Sequence, residues 1–184
     1  MNRVIISTLR LDGRYMNRRS ILSFSTVLAV GFGLVGNAAA QAPLKDQLVG
    51  TWTVVSADNM RPDGTRSPVF GPNPKGILVF EGNGRTAFML MSSGRPKFAS
   101  NNRNTGTPEE NKAMVQGSIA FFGTWSVNEA DKTLTTRIEA STFPNQEGQE
   151  QKRIITSVTA DELRYINPAT TTGDRAETVW KRVK

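Results

Sequence analysis

The feature that most limits the fold is a succession of about eight short runs rich in β-branched and aromatic residues, bounded mainly by Gly, Pro, Asn or Asp. They lie at 50–57, 76–81, 85–92, 121–127, 133–140, 151–158, 162–167 and 176–183. Runs of this length are strands, and polar turns separate most of them. Gly82-Asn83-Gly84 joins the second run to the third with residues that accept the positive φ of a tight hairpin, the clearest in the chain. Alternation predicts one buried face: Leu134, Thr136, Ile138 and Ala140 oppose Thr133, Thr135, Arg137 and Glu139. Ile77 to Phe80 is apolar on both faces, as where a helix or loop covers the outside. Thr107-Pro108-Glu109-Glu110 supplies an N-cap, a proline at the first helical position and carboxylates for the helix dipole. A single short helix is therefore expected over 108–118, with Ala113, Met114 and Gly117 turned toward the sheet. Many antiparallel strands with one helix define an all-β chain, either a sandwich or an up-and-down barrel.

The N-terminus has a different composition. From Met16, Arg18 and Arg19 form a basic segment, Ile21 to Val35 an apolar one, and Ala38-Ala39-Ala40 a small-residue cleavage site. The apolar stretch of 15 residues is shorter than the ~20 that span a bilayer. Residues 1–40 are therefore expected to be a removable signal peptide, with Met16 as the start used and cleavage after Ala40. The segment Asn17-Arg18-Arg19-Ser20-Ile21-Leu22 partly matches a twin-arginine signal, so Sec and twin-arginine routes both stay open. The product, 41–184, is expected to be one periplasmic or secreted domain without stable membrane insertion. It has no Cys and hence no disulfide. Five of the 23 basic residues and one of the 16 acidic residues precede Gln41, which leaves 18 against 15, a charge of +3. With no basic stripe interleaved with aromatics, nucleic acid is not an expected partner.

Leu48 to Ser56 with its Gly-x-Trp, the Phe70-Gly71-Pro72-Asn73-Pro74-Lys75-Gly76 connection, and Trp180-Lys181-Arg182 occur in an order that resembles the bacterial lipocalin-like domain family. The resemblance spans 48–183 and implies a calycin-type barrel of about eight strands, with an internal cavity for a small, mostly apolar molecule. It also implies that Trp52 lies at the closed end beneath Arg182, a cation over an aromatic face. The alternative on the residues alone is that Trp52 is simply a core residue and Arg182 a solvated one. The sequence departs from the family pattern where a His is often found: Leu134 to Ser141 has none, nor has the rest of the chain.

Without His or Cys, nucleophilic triads and zinc sites of the usual composition are excluded. No metal or cofactor is expected. Glu109-Glu110, Glu129 with Asp131, and Asp161-Glu162 all fall in turns or a first helical turn, where capping explains them better than acid–base work. An apolar chamber is expected from Phe88, Leu90, Trp125, Ile154 and Tyr165, with Arg153 or Arg137 fixing a polar end. Each has a packing alternative, and Arg137 has an outward-facing one. Met89 and Met91, on the other strand face, fit contact with the helix or a flexible lid. Gly-Thr-Trp occurs at 50–52 and again at 123–125, where each Gly would permit a bend or close backbone approach and each Trp would fill an end or wall. Three functions remain open: a small-molecule carrier gated by loops 58–74 and 93–106, a filled barrel that binds another envelope protein, and a cavity-bearing isomerase or cyclase.

Overall fold

The computed structural model describes residues 42–184; the signal-peptide reading lies outside the described residues. The strands are β1 (Gly50–Met60), β2 (Arg66–Pro68), β3 (Lys75–Phe80), β4 (Arg85–Met91), β5 (Ser118–Asn128), β6 (Thr133–Ser141), β7 (Glu150–Val158), β8 (Glu162–Asn167) and β9 (Ala176–Arg182). Helix α1 (Leu44–Leu48) precedes β1, and α2 (Pro108–Gln116) lies between β4 and β5. The strands pair in the order β2-β1-β3-β4-β5-β6-β7-β8-β9, and β1 also pairs with β9, so eight of them close into an antiparallel barrel. β2 pairs only with the far end of β1, from Asp58↔Pro68 to Met60↔Arg66.

The chain reverses at every strand, which sorts the connections into two ends. The starts of β1 and β4 share one end with the finish of β9; 61–74, 92–117, 142–149 and 168–175 connect strands at the other. The first end is closed. α1 lies there, burying Leu44 and Leu48, and Glu129 from the β5–β6 turn accepts the Leu44 and Lys45 amides at 3.0 and 3.2 Å. Sequence reading expected one helix and missed α1, which at five residues makes too little periodicity to see.

Alternation operates as expected in β6, where Leu134, Thr136 and Ile138 are buried while Arg137 and Glu139 face solvent. Gly84, at φ 88°, closes the β3–β4 hairpin, with its amide donating to Glu81 O at 3.0 Å. β5 begins at Ser118 rather than Phe121, because Ser118, Ile119 and Ala120 continue the ladder opposite Met91, Leu90 and Met89.

At α2, Thr107 Oγ1 accepts from the Glu110 amide at 3.2 Å and Glu110 Oε2 accepts from the Thr107 amide at 2.8 Å, a reciprocal cap. Glu110 Oε1 also accepts from Ala99 N, tying the preceding loop to the helix. The bonds from Ala99 and Thr107 lower the Glu110 pKa below its ordinary value. Their contribution is therefore full above the ordinary Glu range and is lost as pH falls through the depressed value. A lower amide protection factor throughout α2, taken relative to the intrinsic exchange rate at each pH, is the expected result both of Thr107→Ala at neutral pH, through a cap worth about 1 kcal/mol, and of acidifying the wild type. Unchanged α2 protection under both conditions would show that the cap does not hold this helix.

Candidate functional site: a half-open barrel

Aromatic packing fills the closed half. Trp52 is fully buried, its Nε1–H donates to Leu48 O at 2.9 Å, and Arg182 lies over its ring at 4.0 Å from the centroid. Arg182 also donates to Val49 O at 2.8 Å and Ala160 O at 2.7 Å, so it joins the start of β1 to the β7–β8 turn. A Cβ on Gly50, which sits at φ 134°, would come within 2.7 Å of Arg182 Nη1. Trp125 stacks at a tilt on Phe80, 4.7 Å between centroids, and donates to Glu81 O at 3.0 Å. The two Gly-Thr-Trp segments thus each combine a close approach at glycine with a tryptophan that packs the interior.

The other half holds a cavity of about 470 Å³. Its upper wall and mouth include Phe70, Met114, Val115, Phe143 and Thr170 to Thr172; Phe88, Phe121, Arg153, Tyr165 and Thr178 line its depth. Phe88 and Phe121 stack at 4.6 Å, and Phe88 and Tyr165 reach Trp180 at 5.7 and 6.4 Å, so the inner wall rests on the packed half. α2 buries no residue; Met114 and Val115 reach the cavity from it. Arg95 donates toward Met91 Sδ at 3.2 Å and Met114 Sδ at 3.8 Å, linking β4 to α2. Met89 is instead exposed on the barrel wall.

Arg153 is only 4% exposed. Its guanidinium carbon stands 5.5 Å from the ring centroids of Phe88 and Phe121 and 5.3 Å from that of Tyr165. Its Nη2 donates to Gln151 Oε1. Burial pushes the guanidinium below its ordinary value, against a smaller opposing effect of Tyr165. Burial raises the Tyr165 phenol, with Arg153 the leading opposing influence, so the hydroxyl keeps its proton at neutral pH.

Of the residues expected to form the chamber, Phe88, Leu90, Arg153 and Tyr165 line the cavity together. Trp125 faces inward but lies in the packed half. Two expectations are corrected. Ile154 is 46% exposed on the outer wall, because adjacent residues in a strand point to opposite faces and Arg153 takes the inner one. Arg137 is exposed as well, alternating with buried Thr136 and Ile138. Glu139 pairs with Arg85, not with Arg137. Phe121, Gln151 and Thr178 were not singled out from sequence, although period-two counting places Phe121 on the same face as Trp125 and Gln151 with Arg153.

Among the described residues the lining contains no Asp, Glu, His, Cys or Lys. Arg153 and Tyr165 are its ionisable groups among the described residues; a guanidinium keeps its proton in proteins and burial raises the Tyr165 phenol, so neither is tuned toward neutrality, where a general acid or base works best. The arrangement provides apolar surface, hydroxyls, amides and one deep cation, which suits recognition.

An antiparallel barrel closed by its first and last strands and hollow at one end is the architecture that defines this protein's class. The chain belongs to the lipocalin-like domain family, whose sequence model matches residues 49–183. No curated protein matches it. Among solved structures it is similar to a lipocalin-like protein from Bacteroides uniformis, at 13% identity and TM-score 0.42 over 74% of this chain and 99% of that one. It is also similar to a de novo designed fluorescence-activating β-barrel, at 10% identity and TM-score 0.40 over 77% and 98%. Bovine odorant-binding protein, in complex with a selenium-containing odorant, shares 16% identity at TM-score 0.37 over 76% and 73%.

Proposed function

We propose that this protein is exported and binds a small, mostly apolar molecule in the open half of its barrel. The cavity carries this reading: about 470 Å³ within the usual range for small-molecule sites, with an aromatic and aliphatic lining and a few inward polar groups. A solid interior, which a purely structural barrel would have, is confined to the closed half. The basic, apolar and small-residue order of 1–40 supports export to the periplasm or beyond.

Native mass spectrometry of the protein recovered gently from cells tests both parts. The polypeptide mass is expected to correspond to a chain starting at Gln41, and a reproducible adduct is expected to disappear after denaturing extraction. An uncleaved chain in the cytoplasmic fraction would overturn export. Ligand-free protein that stays so after challenge with fatty acids, quinones and sterol-like molecules would overturn the carrier role.

A further inference from the structure

Arg153 is a buried charge without a counter-charge. The ion pairs formed among the described residues are Arg66–Glu177, Arg85–Glu139, Arg164–Glu162 and Lys184–Asp161, none of which includes it. Its hydrogen-bonding neighbours, Gln151 and Tyr165, are neutral. A guanidinium keeps its proton in proteins and offers five N–H donors in a planar fork. The rings of Phe88, Phe121 and Tyr165 attract the charge through their faces but accept no strong directional hydrogen bond. Removing such a group from water is costly unless an anion repays the loss, and here the fork borders empty space rather than a protein carboxylate.

We propose that the cavity takes a carboxylate-bearing amphiphile head first, its carboxylate paired with Arg153 and its apolar tail directed toward the mouth. This rests on the carrier reading above and adds the ligand's charge, headgroup and orientation. A planar carboxylate matches the guanidinium fork with two parallel hydrogen bonds, an arrangement an alcohol or ester cannot reproduce. The Tyr165 hydroxyl, held as a neutral phenol, is a second donor at the same depth. Among the described residues no acidic side chain lines the cavity to repel the head. Phe70, Met114, Val115 and Phe143 give the outer part an apolar surface for the tail. The same cation disfavours an ammonium headgroup, so the site selects by sign as well as by shape.

Isothermal titration of the purified, ligand-stripped protein with hexadecanoate, its methyl ester, hexadecanol and hexadecylamine, each below its micelle concentration, tests the assignment. Hexadecanoate is expected to bind about ten- to a hundredfold more tightly than the ester or the alcohol, the range for hydrogen bonds to a charged group. In Arg153→Met, which fills the position with an apolar side chain, this preference should fall to within about threefold. Arg153→Lys should retain part of it, because charge survives without the fork. Equal binding of acid and ester by the wild-type protein would overturn the carboxylate assignment and leave the apolar carrier standing, and this comparison depends on no variant. Failure of all four amphiphiles to bind would overturn the assignment together with the carrier reading for linear lipids.

Discussion

Trp52→Ala is expected to lower the unfolding free energy by about 4 kcal/mol, read from urea midpoints at unchanged slope. Truncation removes a fully buried indole from the closed end and opens a void among Leu48 and its neighbours. It also takes away the donor to Leu48 O and the aromatic face beneath Arg182. Arg182 would keep its bonds to Val49 O and Ala160 O, so the end should loosen rather than lose every tie. A domain of this size has only about 5–15 kcal/mol in total, so the substitution should remove roughly a quarter or more of its stability. A loss below about 1 kcal/mol would mean that the closed end repacks freely and that Trp52 is not central to closure.

The second large effect is expected at Gly123, where alanine should cost about 3 kcal/mol through overpacking. The β5–β6 register shifts between Phe122↔Ala140 and Gly123↔Ile138, leaving Glu139 as the extra residue of a bulge. The bulged backbone presses against β5 so closely that a Cβ on Gly123 would lie 2.0 Å from Arg137 O. Nothing there can rotate away, because the obstacle is main chain. Phe121, two residues upstream, lines the cavity, so a displaced β5 should weaken ligand binding as well as stability. Gly82→Ala is the control: it has open space around it and should stay within about 0.5 kcal/mol of wild type. Equal behaviour of the two variants would remove the bulge from the account.

Much of the barrel was legible in sequence because its signals are local. Glycines and Asn83 marked the β3–β4 hairpin, Thr107-Pro108-Glu109-Glu110 marked the start of α2, and alternation in β6 told the inner face from the outer. The missed pieces rest on tertiary partners. α1 depends on Glu129 and on the interior that Leu44 and Leu48 enter; β2 depends on the far end of β1. Site residues were harder, since alternation says which residues face inward but not at what depth. Trp125 and Phe121 share a face of β5, yet one packs the closed half and the other borders empty space. On β7 the sequence offers both Ile154 and Arg153 for the chamber, although adjacent strand residues point to opposite faces. The structure buries Arg153 and leaves Ile154 outside, a choice between the two that depends on rings from β4, β5 and β8.

The pairing that closes the barrel joins residues far apart in sequence, running from Trp52↔Arg182 to Asn59↔Ala176. β1 is made first among the described strands and β9 last, so during synthesis one side of β1 has no native partner until nearly the whole domain is present. Such long-range pairing is slow to form, and an unpaired strand edge invites association with other chains. A nascent chain is therefore exposed to aggregation for as long as its C-terminal segment is delayed. Loss of even the final strand would leave a curled sheet with two open edges, so protection against misassembly is acquired only when the last few residues arrive.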